Sequence, residues 1–211
     1  MSYILSDAPQ GTDAWRLARL GRLTGSIADE ALSFTAQTSH EKGRARALKL
    51  AIERITGNPV DRDEFKSRDI ERGHELEPFA RMAYEARTGA IVREVGFAYL
   101  PTIMAGASPD GFVDDDGIIE AKCPRPHVHA RYLLSGGLPR EYLAQVIHNL
   151  WITGRTWCDF VSFCDEMPEK LQLFVYRFDI TDKDSEAYQR QAMRFLFEVS
   201  DLENQLREKM K

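Results

Sequence analysis

Three side chains stand at a spacing that can do chemistry: Asp110, in Ser108-Pro109-Asp110-Gly111, and Glu120 and Lys122, which flank Ala121. The apolar run from Met104 to Ala107 leads into a Pro-Asp-Gly turn signal. Phe112-Val113, Asp114-Asp115-Asp116-Gly117 and Ile118-Ile119 then read as strand, tight turn and strand. Side chains alternate along a strand, so Glu120 and Lys122 share a face, and Asp110 can lie opposite them at the end of the neighbouring strand. Two carboxylates and an ammonium then converge. Hard oxygen ligands suit Mg²⁺ or Mn²⁺, and a lysine beside the ion can hold and activate an attacking water, which is the equipment of a phosphodiester hydrolase. Taken alone, the trio fits a solvated hairpin with an Asx turn and a surface Glu-Lys pair better than it fits such a site, since short motifs match often by accident.

The elements that must position these residues follow from periodicity and punctuation. Thr12 or Asp13 caps a first helix that runs through Trp15 and Leu20 and ends near Gly21; Thr24-Gly25-Ser26 restarts one, with Asp29 three residues after Ser26. Arg16, Arg19 and Arg22 stand just ahead of that second start, where hydroxyls, free N–H groups and the helix dipole favour a phosphate; on these residues alone, exposed arginines and an N-cap serine are the better reading. Ser39 to Thr56 reads as an amphipathic helix whose polar side carries Lys42, Arg44, Arg46 and Lys49, either a solvated face or a track for a nucleic-acid backbone. Val60 to Asp69 reads as a loop, and Asp69 to Arg87 as a helix with Ile70, Phe79, Ala80 and Ala83 inward. Glu77, seven residues after Ile70, faces inward more than Glu71 or Glu75.

Ile91 to Leu100 is a strand-forming run, and Gly136-Gly137 stops a short helix over His129 to Leu134. A helix then runs from Pro139 to Gly154, bearing Gln145, His148 and Asn149. His127 or His148 can ligate a metal or finish a hydrogen-bond network. Trp157 to Cys164 and Leu171 to Ile180 read as strands joined across Met167-Pro168-Glu169, and Asp182 to Lys211 as a closing long or kinked helix. The expected fold is α/β (α+β), one domain over residues 1–211 with a central mixed sheet of about five strands flanked by helices.

Composition is that of a globular protein, 43% hydrophobic and 29% charged. A net charge of -5 argues against a uniformly basic nucleic-acid binder but permits a segregated basic channel. No run approaches a membrane span, and the first residues lack the basic and apolar regions of a leader, so a cytoplasmic location is expected. Cys123, Cys158 and Cys164 form no CxxC pair, and reduced thiols are expected.

As a set, these residues resemble the PD-(D/E)xK nuclease superfamily, and within it the phage lambda exonuclease (viral recombinase) family. The resemblance is carried by WRLARLGRLTGS (Trp15 to Ser26), GHELEPFA (Gly73 to Ala80), ASPDG (Ala107 to Gly111), EAKCP (Glu120 to Pro124), Gly136-Gly137, AQV (Ala144 to Val146) and Trp151. It implies a restriction-endonuclease-like core and a Mg²⁺-dependent (Mn²⁺ as substitute) 5′-to-3′ exonuclease with two ions per site. Asp110, Glu120 and the Ala121 carbonyl would hold the metal, Glu77 would complete the acidic site as a second-metal ligand or a water-holding base, Lys122 would activate the water, and Gln145 would support Lys122 and the scissile phosphate. Arg19 and Ser26 match a pocket for the terminal 5′-phosphate, and Ile70 an apolar wedge that splays the duplex. The family further implies a homotrimeric ring threaded by double-stranded DNA, with Lys42, Arg44, Arg46 and Lys49 as candidates to line it. It also implies a single-strand annealing partner acting on the 3′ overhang, and a phage or prophage origin in a bacterial host. The chain is short for the family and trimmed after Gly136-Gly137. An internally cutting endonuclease of the same fold, or a non-catalytic DNA-binding module, are the competing readings.

Overall fold

The computed structural model describes residues 2–33, 40–60 and 68–211, with the backbone alone for 68–70. In chain order the elements are β1 (Ile4–Ser6), α1 (Asp13–Arg19), a 3₁₀ turn (Gly25–Ile27), α2 (Ala28–Ser33), α3 (His40–Thr56), α4 (Arg68–Thr88), β2 (Val92–Arg93), β3 (Phe97–Tyr99) and β4 (Gly106–Ala107). They continue with β5 (Gly111–Val113), β6 (Gly117–Lys122), α5 (Pro126–Ser135), α6 (Arg140–Thr153), β7 (Trp157–Phe163), a 3₁₀ turn (Glu169–Leu171), β8 (Leu173–Asp179) and α7 (Asp182–Glu208). Five strands form a mixed sheet in the order β2-β5-β6-β7-β8, in which only β6 and β7 run parallel; β1, β3 and β4 form a second, antiparallel sheet.

The expected mixed sheet flanked by helices is therefore present, and its layering follows from strand alternation. On one face, Ile119, Ala121 and Val161 pack against Ala80 and Tyr84 of α4; on the other, Ile118 and Cys158 pack against Val146 and Leu150 of α6. A third cluster joins α2, α3, α6 and α7 over the small sheet, centred on Leu23, Ala47, Leu50, Phe195 and Val199. Buried Asp159 of β7 ties sheet to helix. It accepts the Tyr84 hydroxyl at 2.7 Å and both ends of the Arg177 fork at 2.8 Å, while Arg177 stacks 3.6 Å over Trp157.

The β5–β6 hairpin that carries the trio is pinned from below. Arg155 donates to the carbonyls of Val113, Asp114 and Gly117 at 3.2, 3.1 and 2.7 Å and lies 3.9 Å over the Phe112 ring. The left-handed residue of the turn is Asp114 (φ 48°), whereas Gly117 is needed for clearance, since a Cβ there would come to 2.0 Å from the Trp157 ring.

Two expectations need correction, and one element goes beyond them. Ile91 to Leu100 is not one strand: it is interrupted over residues 94–96, with β2 in the large sheet and β3 in the small one, and at Gly96 a Cβ would lie 2.5 Å from the Ala8 carbonyl oxygen. Phe79 is 56% exposed, because α4 turns Ala80 and Tyr84, four apart, toward the sheet and leaves Phe79 on the flank. β1 was not foreseen, being three residues too short to show a period. The loop expected over Val60 to Asp69 falls largely outside the described residues.

Candidate active site

Asp110 sits where β5 begins, just past the last pairing of that strand with β6, Gly111 with Ile119. Beyond Ile119, β6 continues alone on that side, and the free edge is where the trio meets. The Ala121 N–H donates to Asp110 Oδ2 at 2.6 Å. In a strand a residue's N–H and C=O point to the same edge, so the Ala121 carbonyl is turned to the Asp110 side as well. Glu120, 1% exposed, is the centre of the arrangement. Its Oε1 accepts from Lys122 Nζ and from Gln145 Nε2, and its Oε2 accepts from Asn149 Nδ2 at 3.0 Å. Gln145 and Asn149 are one helical turn apart on α6 and so address the two oxygens of one carboxylate.

From the opposite layer, α4 brings Glu77. It is half-buried, 3.6 Å from Arg81, which also reaches Glu94 at 2.8 Å. Glu71 and Glu75 remain in solvent, as their places on the helix imply. Glu77, Arg81 and Asp110 help line a cleft of about 900 Å³ together with Gln10, Arg16 and Arg93.

The free oxygens define what the cluster can hold. Among the described residues Asp110 Oδ1 has no donor, and Glu120 Oε2 has one donor and a lone pair to spare. With the Ala121 carbonyl and Glu77 this is an all-oxygen set suited to a hard divalent cation, and Lys122 is the ammonium beside it. Cys164, Asp165 and Glu166 also place ligand atoms within 4.8 Å of one another, but Arg72 already bridges both carboxylates at 2.9 Å.

The electrostatics agree. Burial pushes Glu77 up to about 7, with the nearby charge of Asp110 adding to it, and burial pushes Glu120 up to about 7 against the pull of Lys122. Burial works against the Lys122 charge too, but Glu120 and then Asp110 outweigh it and hold the ammonium above its ordinary range. A carboxyl whose folded value exceeds its ordinary one contributes stability that is full below about 4.5 and lost as pH rises through about 7. Metal-free Glu77→Gln should therefore match the parent in thermal melts at pH 5 and exceed it by a few degrees at pH 8. Equal melting at both values would remove the strain assigned to Glu77.

A second constellation lies along α1 and the 3₁₀ turn. Thr12 caps α1 by accepting the Trp15 N–H at 3.2 Å, which sets Trp15 inward and Arg19 one turn on. The Arg19 guanidinium stacks 4.1 Å over Trp15 and donates to Ser26 Oγ at 3.1 Å and to Ser108 Oγ at 3.4 Å. Burial pulls it down to about 10, so it remains a cation at neutral pH. Its partners here are hydroxyls and an aromatic face, a setting that leaves its charge open to an anion. Ser108, two residues before Asp110, also accepts the Trp15 indole N–H at 2.9 Å and so joins this pocket to the acid cluster.

The structure thus brings together Asp110, Glu120, Ala121, Lys122, Glu77 and Gln145, with Arg19 and Ser26 beside them. It does not bring the basic face of α3 to this group by any contact described: Arg46 pairs with Glu30 at 2.6 Å and Arg44 with Glu198 at 3.8 Å, toward α2 and α7. Lys42 and Lys49 lie on the same helix, and the side chain of Ile70 is outside the described residues. His148 is no ligand; it bonds the Tyr188 hydroxyl at 2.7 Å and the Gly106 carbonyl at 2.9 Å. Sequence reading missed the roles of Asn149 and Ser108. The Gln-x-x-x-Asn spacing on α6 was the available signal for the first.

Comparison with known proteins accords with this geometry. Residues 14–156 match the family described as the YqaJ-like viral recombinase domain. A search of curated proteins gives no match. Among solved structures, the alkaline exonuclease LHK-Exo of Laribacter hongkongensis superposes with a TM-score of 0.84 at 36% identity, over 94% of this chain and 98% of that one, and the same holds for its complex with dAMP. A phage-related exonuclease of Haemophilus somnus 129PT, at 11% identity and a TM-score of 0.65 over 90% and 96% of the two chains, shares the fold. With the matched region spanning both the acid cluster and the Arg19 pocket, the chain belongs to the YqaJ-like viral recombinase family, which bears out the resemblance to lambda exonuclease.

Proposed function

We propose that the protein is a divalent-metal-dependent exodeoxyribonuclease that degrades one strand of linear duplex DNA in the 5′-to-3′ direction and leaves a 3′ overhang. The observation that carries the reading is the convergence at one strand edge of Asp110, Glu120, the Ala121 carbonyl and Lys122, with an anion-seeking Arg19 joined to them through Ser108. The 36% identity to an alkaline exonuclease, and that enzyme's complex with a deoxynucleoside monophosphate, support the same chemistry.

In this scheme Asp110, Glu120, the Ala121 carbonyl and Glu77 hold the cations, Mg²⁺ by the hardness of the donors, and the ions when bound polarise the phosphate and lower the pKa of water. Lys122 orients the attacking water and offsets negative charge at the phosphate. Gln145 keeps Lys122 and Glu120 in register. Arg19 and Ser26 receive the 5′-phosphate of the strand end, which makes attack start from that end.

The test is digestion of a linear duplex with a 5′-phosphate on one end and a 5′-hydroxyl on the other, in Mg²⁺ or in EDTA. Loss from the phosphorylated end should be about tenfold faster or more, consistent with loss of one charge-assisted contact at the other end, and Arg19→Ala should remove the preference. Equal attack on both ends would sink the pocket assignment, and cutting of closed circular DNA would favour an endonuclease. A ring of three copies, threaded by the duplex and handing its overhang to an annealing protein, completes the reading. It predicts a mass in solution of three times 24.1 kDa, and a monomer at working concentration is the failing result.

A further inference from the structure

Asn149 stands in the second layer of the site, and the family resemblance gave it no role. It is 1% exposed, its Nδ2 donates to Glu120 Oε2 at 3.0 Å, and its Oδ1 is buried with no hydrogen-bond partner among the described residues. Burying an unpartnered acceptor is unfavourable, so the amide is held there for its donor end. Its backbone is fixed as well, since the Thr153 hydroxyl donates to the Asn149 carbonyl at 2.7 Å. The orphaned Oδ1 faces Gly25: a Cβ built on Gly25 would come to 2.5 Å from it and to 3.2 Å from Gln145 Cγ. Gly25 precedes Ser26, whose hydroxyl receives Arg19. Asn149 therefore touches both constellations, the carboxylate on one side and the backbone of the anion pocket on the other.

Counting lone pairs gives the consequence. Glu120 Oε1 is occupied by Lys122 and Gln145, while among the described residues Oε2 has the Asn149 donor alone. We infer that Asn149 is a positioning residue: it occupies one lone pair of Glu120 Oε2 and aims the other at the cation, so that Oε2 is the ligating oxygen and its direction is set from α6. This rests on the metal-dependent reading above. Without the amide, the carboxylate can rotate about its last bond and offer the ion a wrong lone pair, or turn toward Lys122 altogether.

The test is calorimetric titration of DNA-free protein with Mn²⁺ alone, for the parent, Asn149→Ala, Asn149→Leu, Glu120→Gln and the double variants, each checked by thermal melting. The leucine branches at the same carbon as asparagine and has as many side-chain heavy atoms, is a good helix former, and fills the space beside Gly25 with bulkier methyls while removing the amide. Either Asn149 variant should lose about tenfold to a hundredfold in Mn²⁺ affinity. In the Glu120→Gln background the same change should lose nothing further, which a merely structural role would not produce. An Asn149 variant that folds with parental affinity overturns the inference and leaves the metal-dependent reading standing, as does equal loss in both backgrounds. If neither Asn149 variant melts cooperatively, Gly25→Ala supplies the same displacement from outside α6, and unchanged Mn²⁺ affinity there overturns the inference too. A parent that takes up no Mn²⁺ overturns both.

Discussion

Lys122→Ala should abolish most turnover on linear duplex DNA, by about a thousandfold in kcat, while DNA binding measured in Ca²⁺ or EDTA stays within about threefold. The reason is local. Lys122 reaches Glu120 Oε1 from two positions along the same strand, and its ammonium lies 5.4 Å from the Tyr142 ring, so it is held at the edge of the acid cluster by a carboxylate and an aromatic face. An ammonium kept charged there can hold a water and offset negative charge as it builds on a phosphate, an interaction that strengthens only in the transition state and so acts on kcat. A thousandfold corresponds to about 4 kcal/mol of barrier. Glu120 keeps two neutral donors in the variant, Gln145 and Asn149, so its carboxylate is not left bare and the fold should survive. Lys122→Arg should not rescue turnover, because a planar fork does not reproduce a point donor beside Tyr142. Turnover unchanged in Lys122→Ala would leave a DNA-binding module with a vestigial trio as the better reading.

How much of this was legible in the residues depends on range. Period-two alternation placed Glu120 and Lys122 on one face and Ala121 on the other, and the Pro-Asp-Gly signal placed Asp110 at the neighbouring strand's start; both are observed because they are local. Glu77 was separable from Glu71 and Glu75 by helical phase alone. The choice of partners was not legible. That Asn149 takes the second oxygen of Glu120, and that Ser108 bridges Trp15, Arg19 and the turn, are contacts across 29, 93 and 89 residues, set by how α6 and α1 dock on the sheet. The basic face of α3, read as either a solvated face or a nucleic-acid track, has partners the charge run did not show: Arg46 and Arg44 lie against Glu30 and Glu198, acids that α2 and α7 bring from elsewhere in the chain. Gly96 likewise hides in a strand-forming run, and its need for glycine shows only in the approach of the Ser6 and Ala8 carbonyls.

Asp110→Asn should remove cation binding and activity together while preserving the hairpin. Asp110, which lines the cleft, has two separable tasks, since Oδ2 accepts the Ala121 N–H and Oδ1 has no donor among the described residues. An asparagine can keep the first task by presenting its carbonyl to Ala121. Its amide then stands where Oδ1 stood, and an N–H₂ group donates and cannot ligate a hard cation. Loss of a charged ligand should weaken Mn²⁺ binding about a hundredfold or more in calorimetry and cut turnover by about a thousandfold. The melting curve carries an independent signature. Asp110 is one of the charges that, after burial, raise Glu77, so removing it relaxes Glu77 toward its ordinary value. Metal-free Asp110→Asn should then melt at or above the parent at pH 8, where the parent's carboxylates repel, and added Mg²⁺ should raise the parent's melting temperature while leaving the variant's unchanged. A variant that melts well below the parent at pH 8 would show that the Ala121 contact needs the charge. Parental Mn²⁺ affinity in the variant would place the cation somewhere other than the edge between β5 and β6, and the assignment of this cluster as the metal centre would fall with it.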